Sequence, residues 1–173
     1  NNIGTLTSMD RASTPAIGKL GQAFNFDGST DSVSVADSAT FDLTTSAQYS
    51  WSAWVKTDNL TSDVWHTIWA QSTGSVNDLV LYAHTVTDAE LPGGSVTNGI
   101  SAWWFQNSSN KIITEAESAI SANTWFHLVV AYDGSLAAGS RFKIYVDGVD
   151  VTDSSSTAGT TSSISPDDIR IGS

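Results

Sequence analysis

The sequence predicts an all-β fold in which two antiparallel sheets pack face to face. Residues Tyr49–Lys56 read Tyr-Ser-Trp-Ser-Ala-Trp-Val-Lys, and their large and small side chains alternate with the period of two that a pleated strand requires. Residues Thr124–Gly134 form a nearly continuous apolar and aromatic run that ends in an Asp-Gly turn. Such a run is typical of a strand covered on both faces, as in the middle of a sandwich.

Short runs of β-forming residues, separated by turn signals, divide the chain into many strands. The turns are marked by Asp27-Gly28, Asp133-Gly134, Asp147-Gly148 and Pro92-Gly93-Gly94. This spacing predicts a sandwich, a jelly roll or a barrel. The predicted strands, in chain order, are Ala23–Phe26, Ser32–Val35, Tyr49–Lys56, Trp65–Gln71, Leu79–Ala83, Ile100–Gln106, Lys111–Glu115, Trp125–Tyr132, Arg141–Val146, Val149–Thr152 and Asp168–Ile171.

Two segments carry no strand signal. His84–Asn98 is the longest irregular stretch, and loops of that length are often functional. Ser154–Ser163 is low in complexity, and we expect it to be an exposed loop.

The composition fits one domain with a large core and a weakly charged surface. The chain has 173 residues, of which 40% are hydrophobic, and it contains seven Trp. Charged residues make up 14%, against roughly a quarter in an average globular domain. Small hydroxyl and amide residues take their place. Because such surfaces are common on secreted and particle-bound β proteins, we expect an extracellular, cell-surface or virion-surface location.

The net charge of −11 argues against several classes of partner. No cluster of Lys and Arg is present to neutralise phosphates, so nucleic acid is excluded, and anionic membrane surfaces are disfavoured. The absence of Cys excludes disulfides and thiolate metal sites. No apolar run approaches the roughly 20 residues of a membrane-spanning helix.

The motifs follow one another in an order that resembles a known family. They lie at Gly18–Gly28, Asp31–Val35, Tyr49–Lys56, Thr67–Gln71, Ala122–Gly134, Phe142–Gly148 and Ile169–Ser173. Their order resembles the concanavalin A-like lectin/glucanase superfamily, specifically its laminin-G-like bacterial and phage branch, over essentially the whole chain. The resemblance implies a jelly roll with one concave sheet, whose concave face or rim loops bind sugars, glycans or proteins, often with a structural Ca²⁺. It also implies a module of a secreted, surface-attached or virion protein.

The resemblance further implies a terminal strand at each end that this sequence does not contain. Family members begin with a strand before a segment like Asn2–Thr7 and finish with one after a segment like Ile171–Ser173. We therefore interpret residues 1–173 as a single domain without its first and last strands. Two explanations remain open. Either the chain is a segment of a longer protein, or a neighbouring subunit donates strands next to Phe24 or Ile169.

The acidic residues do not match a glycosidase. The enzymes of this superfamily cleave β-glucans with paired Glu around an Asp on one strand, and glycoside hydrolysis needs two carboxylates facing the scissile bond. The chain has only Glu90, Glu115 and Glu117. Glu115 and Glu117 would share a strand face, but the intervening Asp and the third acid are lacking, which favours an exposed strand end. We predict that the protein is not an enzyme.

Other catalytic patterns are equally weak. No Gly-x-Ser-x-Gly nucleophile elbow occurs. His66, His84 and His127 are too scattered for a zinc site. His127 lies inside the apolar run, and we expect it to be a buried, hydrogen-bonded core residue.

Calcium is the metal ion that the sequence supports best. The segment from Asp27 to Asp31 offers two carboxylates and a glycine turn, and hard cations bind such oxygens. In related proteins the carbonyl at the position of Gly28 tends to be a ligand, with partners from the two terminal strands absent here. The candidate metal ligands are therefore Asp27, Gly28 and Asp31. The competing interpretation is that the Asp-Gly pair only forms the turn.

The aromatic residues supply the best candidates for a ligand site. Flat rings stack on pyranose C–H faces, while amides and hydroxyls bind sugar hydroxyls. Trp65, Thr67, Trp69 and Gln71 are spaced two residues apart, so we expect them to share one strand face. The mixture of rings and polar side chains is typical of a half-solvated face. The predicted ligand-binding residues are Trp65, Trp69, Tyr82, Trp103 and Asn107. The alternative is that all seven Trp belong to the sandwich core.

These observations predict a non-catalytic carbohydrate-binding or adhesion module whose partner is a glycan or a surface protein. The alternative is a virion or surface-assembly structural subunit, a homo-oligomer or a recipient of donated strands, that uses the same fold for subunit contacts.

Overall fold

The structure is a computed structural model that describes residues 3–9, 15–61, 63–72, 78–161, 163 and 168–172, except for the side chain of Asp78. The described helices are two short 3₁₀ turns, Ala39–Phe41 and Ala138–Ser140. The strands are β1 (Gly4–Thr7), β2 (Pro15–Ile17), β3 (Gln22–Phe24), β4 (Ser32–Val35), β5 (Gln48–Val55), β6 (Val64–Gln71), β7 (Asp78–Thr87), β8 (Ser95–Asn107), β9 (Asn110–Ala116), β10 (Phe126–Asp133), β11 (Phe142–Val146), β12 (Val149–Asp150), β13 (Ser154–Ala158) and β14 (Ile169–Ile171). Within these ranges no helix is long and apolar enough to cross a membrane.

Two antiparallel sheets form the body of the protein. The large sheet has eight strands in the order β1-β4-β14-β6-β7-β8-β9-β13, and the small sheet has four in the order β12-β11-β10-β5. Strands β2 and β3 form a separate hairpin. The prediction of an all-β jelly roll with two antiparallel sheets is confirmed.

The hydrophobic core lies between the inner faces of the two sheets. On β7 and β8, buried residues that face the small sheet alternate with residues on the opposite side, which we call the outer face. Burial of each large apolar side chain contributes roughly 1.5–3 kcal/mol. The largest fully buried core side chains are Trp104, Tyr132, Phe142, Leu79, Leu81, Ile100, Ile112 and Ile144.

Most of the predicted strands are present and shifted by only a residue or two at their ends. The Asp147-Gly148 hairpin is also confirmed: both residues have positive φ, 50° and 83°, as a two-residue turn requires. Three strands were not predicted, namely β1, β2 and β13. They are short, and two of them, β1 and β13, lie at the ends of the large sheet.

The prediction that His84–Asn98 is irregular is wrong. Strand β7 continues to Thr87 and β8 begins at Ser95, so the true loop is residues 88–94. A register shift between His84 and Val86 interrupts the ladder. Such a bulge breaks the simple alternation that makes a strand visible in a sequence.

The prediction that Ser154–Ser163 is a loop is wrong for its first half, which is β13. Ser155 pairs with Thr114 of β9, and their hydroxyl oxygens lie 2.5 Å apart. Ser154 donates a hydrogen bond to Glu115 Oε1 at 2.8 Å. Cross-strand hydroxyl bonds can stabilise a strand that has few apolar residues. Residue 162 of this segment lies outside the described residues.

Strand β10 is not covered on both faces, contrary to the prediction. Its residues alternate strictly between buried and half-buried. Val129 and Ala131 lie on the half-exposed side, because the small sheet turns that face to solvent. His127 shares this side and is half-buried, so the expectation that it belongs to the buried core is also wrong.

The sheet edges decide where a further strand could pair. Ile169 of β14 pairs with both Val35 and Gln71, so both of its edges are occupied. The suggestion that a neighbouring subunit donates a strand next to Ile169 is therefore wrong. Phe24 lies in β3, which pairs only with β2 among the described strands. Strand β5 likewise has a single described neighbour, β10, and therefore presents a free edge eight residues long.

Substitution of Gly134 should test the packing of the turn after β10. A Cβ at this position would lie 2.0 Å from the carbonyl oxygen of Thr45, which belongs to rigid backbone. We expect Gly134→Ala to lower the free energy of unfolding by about 1–3 kcal/mol, measured by chemical denaturation. Gly139→Ala is the matched control, because its Cβ would meet only Thr157 Cγ2 at 3.9 Å. Equal stability of the two variants would contradict the described packing.

Candidate functional site

Aromatic side chains collect near the centre of the outer face of the large sheet. The ring centroid of Trp65 in β6 lies 4.8 Å from that of Tyr82 in β7 and 5.5 Å from that of Trp103 in β8, in edge-to-face contact. The ring centroid of Phe105 in β8 lies 5.8 Å from that of Trp103. We call these four residues the aromatic patch. Trp65, Tyr82 and Phe105 are half-buried, so part of each side chain remains open to solvent.

A β-bulge in β6 decides which tryptophans join the aromatic patch. Thr67 pairs with Tyr82 and Trp69 pairs with Leu81, so Ile68 is an extra residue without a partner on β7. One extra residue reverses the alternation of faces. Trp65 therefore lies on the outer face, whereas Trp69 packs against the core. The prediction that Trp65 and Trp69 share one face is wrong for this reason.

The position of Trp69 follows from its contact with the small sheet. Its ring centroid lies 5.3 Å from that of Trp51 in β5, across the interface between the two sheets. Trp69 is half-buried and packs against the main core cluster. The structure therefore separates Trp69 from the other predicted ligand-binding tryptophans.

Trp103 and Asn107 make structural contacts of their own. Trp103 is only 9% exposed, and its indole N–H donates to Ser101 Oγ at 2.8 Å. Although the sequence predicts Trp103 as a ligand-binding residue, its side chain is almost fully buried, and its ring packs edge-on against Trp65 and Tyr82. Asn107 is exposed, and its Oδ1 accepts the backbone N–H of Ser109 at 2.9 Å, which shapes the β8–β9 turn. A role of Asn107 in binding stays a prediction.

The β7–β8 loop, residues 88–94, folds over one side of the outer face. Its Leu91 is buried against Trp103 and Ile113. Glu90 ties the loop to the β8–β9 hairpin, because its carboxylate pairs with Lys111 and accepts the Ser108 hydroxyl at 2.7 Å. These two contacts lower the pKa of Glu90. The open part of the aromatic patch therefore lies over β6 and β7.

Glu115 is buried beneath this loop and is not an exposed strand end. It is 3% exposed, Oε1 accepts the Ser154 hydroxyl, and Oε2 has no hydrogen-bond partner among the described residues. Burial raises its pKa, while hydrogen bonds from Ser154 and Gly93 act in the opposite direction. A Cβ on Gly93 would lie 3.3 Å from Oε1, so the loop backbone sits directly on the carboxyl group. Glu117 follows β9 in an exposed turn.

His84 of β7 is the cross-strand partner of Trp65, and its ring stacks against the indole. The two rings stack with centroids 4.6 Å apart and planes at 22°. His84 is fully buried, and neither ring nitrogen has a hydrogen-bond partner among the described residues. Burial, and secondarily the charge of His66, lowers the pKa of His84 to about 4. The imidazole is therefore neutral near pH 7 and acts as a flat support for the indole.

A second concavity opens between the two sheets at the free edge of β5. Its volume is about 830 Å³. Ala53 lies on the inner side of β5 yet is exposed, since no described side chain fills the space in front of it. The aromatic residues around this cavity are Phe24, Phe26, Trp51, Trp54, Trp69 and Trp125.

The loop proposed for calcium is arranged as a turn. Asp27 Oδ1 accepts the backbone N–H groups of Ser29, Thr30 and Asp31 at 2.8–2.9 Å, and Oδ2 accepts the Thr30 hydroxyl at 2.9 Å. These bonds, led by that from Asp31, lower the pKa of Asp27. Asp31 Oδ2 in turn accepts the N–H of Asp27, and Gly28 supplies the positive φ of 69°.

A hard cation at this turn would share the Asp27 carboxylate oxygens with the backbone N–H groups that already donate to them. Among the described residues, no three His, Asp or Glu side chains converge on a possible metal position. The hydrogen bonds at Asp27 account for the turn, and calcium binding by Asp27, Gly28 and Asp31 stays a prediction.

One polar pair on the opposite side of the sandwich was not visible in the sequence. Ser52 Oγ lies 2.9 Å from His127 Nε2, and the ring of Trp54 lies 5.1 Å from the imidazole. Only the register of β5 against β10 brings these residues together. The pair lies on an open sheet face, whereas nucleophilic catalysis also needs an oxyanion site and a cleft.

Comparison with models of known families agrees with this fold. A family model described as the concanavalin A-like lectin/glucanases superfamily matches residues 27–173. Among solved structures, the carbohydrate binding module CBM66 from Bacillus subtilis is similar over 92% of this chain and 83% of its own, with 17% sequence identity and a TM-score of 0.44. A comparison with curated proteins gave no match.

The burial of His84 should make the protein sensitive to mild acid. Its pKa in the folded state, about 4, lies below the unfolded value of 6.5. The unfolded chain therefore gains a proton first, and stability is lost as the pH falls from about 6.5 toward 4, by roughly 3 kcal/mol at most. Chemical denaturation at several pH values should show a smaller loss for His84→Phe and His84→Leu. An unchanged acid dependence in both variants would contradict the assignment.

Proposed function

Because the chain belongs to the concanavalin A-like lectin/glucanases superfamily and carries a half-exposed aromatic patch, we propose that it is a non-catalytic carbohydrate-binding or adhesion module. The observation that carries the proposal is the cluster of Trp65, Tyr82 and Trp103 on the outer face of the large sheet. Flat rings with open surface suit the C–H faces of a pyranose. Thr67, half-buried beside Tyr82, offers a hydroxyl for hydrogen bonding.

The rings of the patch are held in place before any ligand arrives. Trp65 is stacked on His84 and meets Tyr82 and Trp103 edge-on. A side chain that is already fixed loses little conformational entropy when a ligand binds. The patch therefore provides a rigid platform, as a binding module needs.

The carboxylates near the patch support binding without bond cleavage. Glycoside hydrolysis requires two carboxyl groups that face the scissile bond. Glu90 is engaged in an ion pair with Lys111, and Glu115 is closed in beneath Gly93. Neither group is presented to a ligand on the open side of the patch.

The composition supports an extracellular, cell-surface or virion-surface location. Charged residues make up only 14% of the chain, and Ser and Thr dominate its polar positions. A glycan on a cell or particle surface is the partner that this proposal names. Purification of the protein from its native source with a surface fraction would test the location.

Removal of the Trp65 ring should weaken glycan binding. We expect Trp65→Ala to lose roughly tenfold in affinity for the saccharides that the wild type binds on a glycan array, because the stacking surface is gone. Trp54→Ala is the matched control, since Trp54 is 39% exposed but lies on the opposite side of the sandwich. The proposal fails if the wild type binds no saccharide, or if Trp54→Ala abolishes binding and Trp65→Ala does not.

A second candidate function, a structural subunit of a virion or surface assembly, is favoured by the free edge of β5. Its eight residues pair only with β10 in the described part of the chain, and the cavity of about 830 Å³ opens beside them. Unpaired strand edges readily accept a strand from another molecule. On this proposal, the strand of a neighbouring subunit pairs with β5 and places side chains in front of Ala53.

Self-association through β5 can be tested by light scattering after size exclusion. We expect a concentration-dependent oligomer that Ala53→Lys abolishes, because a charge would then occupy the cavity side of the edge. Ala131→Lys is the control, since Ala131 lies on the outer side of the neighbouring strand. A wild type that stays monomeric at every concentration would count against assembly through this edge.

A further inference from the structure

Arg170 differs from the other described cationic residues in having no partner within the part of the chain that the structure describes. Lys111 and Lys143 form ion pairs, Lys19 and Lys56 lie over indole rings, and Arg141 donates to a carbonyl oxygen. Arg170 is exposed and has no hydrogen bond, ion pair or ring contact with any described residue. In a chain with 18 acidic and 7 basic residues, a guanidinium without a described partner requires an explanation.

The strand that carries Arg170 directs it to the outer face of the large sheet. Its neighbour Ile169 is buried, and Ile171 lines the cavity between the sheets, so both face inward. Successive side chains of a strand alternate between faces. Arg170 therefore lies on the outer face, opposite Ser34 on β4 and Ala70 on β6.

Arg170 and the aromatic patch share this face. Across neighbouring strands, Arg170 of β14 pairs with Ala70 of β6, Ala70 pairs with Val80 of β7, and Val80 pairs with Trp103 of β8. With strands about 4.8 Å apart, the Cα atoms of Arg170 and Trp103 are roughly 14 Å apart, and those of Arg170 and Tyr82 are roughly 12 Å apart. Ala70, which is half-buried, and Val80, which is buried, lie between them, and neither has a polar group or a long side chain.

Asp168, which precedes β14, is engaged in a hydrogen bond of its own. Asp168 Oδ1 accepts the backbone N–H of Asp37 at 2.9 Å, beyond the end of β4. No described carboxylate forms an ion pair with Arg170. An anionic group on a ligand at this position can therefore pair with a guanidinium that no described acid neutralises.

We propose that the saccharide bound at this site is acidic. One ring packs on Trp65 and Tyr82, and the carboxylate of an adjoining uronic acid residue pairs with the guanidinium of Arg170. Arginine binds a carboxylate through two parallel N–H donors, which fixes the orientation of the sugar as well as its charge. The inference rests on the proposed function, because it assigns the class of ligand for the same site.

The test compares matched ligands on wild-type protein and two variants. The ligands are oligosaccharides of galacturonate, glucuronate and mannuronate, each beside its carboxyl-reduced neutral partner, measured by calorimetry. We expect the wild type to bind at least one uronate oligosaccharide roughly tenfold more tightly than its neutral partner, and Arg170→Gln to remove that preference. Lys143→Gln removes the same charge from the small sheet and should leave the preference unchanged.

The outcomes separate this inference from the proposed function. If the wild type binds neutral and acidic partners equally, or if Arg170→Gln keeps the preference, the role of Arg170 is overturned. Binding of neutral sugars that depends on Trp65 would then still support a carbohydrate-binding module. If the wild type binds no saccharide, both proposals fail.

Discussion

The extra residue at Ile68 determines where this protein can present aromatic rings. Without it, the alternation of β6 would place Trp65 and Trp69 on the same side of the large sheet. The bulge sends Trp69 into the core against Trp51 and leaves Trp65 outside beside Tyr82. The carbonyl of Ile68 accepts the N–H of Gly172 at 3.4 Å, so the end of β14 holds the bulged residue. One strand thereby serves both the core and the candidate site.

The outer face of the large sheet carries a second, smaller hydrophobic cluster, part of which is open to solvent. Residues 88–94 close it over Trp103 and Ile113, and the Glu90–Lys111 pair fixes the loop to the next hairpin. On the open side, the neutral imidazole of His84 stacks against the indole ring of Trp65. A sheet face usually meets solvent with flexible polar side chains. Here the packing holds aromatic rings in one orientation, which is what stacking on a flat ligand requires.

The sequence predicted the fold well because alternation and turn signals report on local geometry. The hairpin at Asp147-Gly148 and most strands followed from these two signals alone. The arrangement of the residues in the candidate site was predicted only in part. Trp65, Tyr82 and Trp103 do come together, but Trp69 does not, because a bulge leaves no mark on residue types. Strand β13 was missed for a related reason: its serines pair through hydroxyl groups across the ladder, and a single sequence does not show which partner a serine has. Likewise, the turn at Asp27 and a calcium loop use the same residues, and residue types alone do not tell them apart.

The division of the tryptophans between the two faces can be observed through their indole N–H resonances in a ¹H–¹⁵N spectrum. During titration with a saccharide that the protein binds, the signal of Trp65 should shift progressively, while those of Trp51 and Trp69 stay in place. Perturbation of Trp51 and Trp69, with Trp65 unaffected, would show that the ligand enters between the sheets and would contradict the assignment of the outer face.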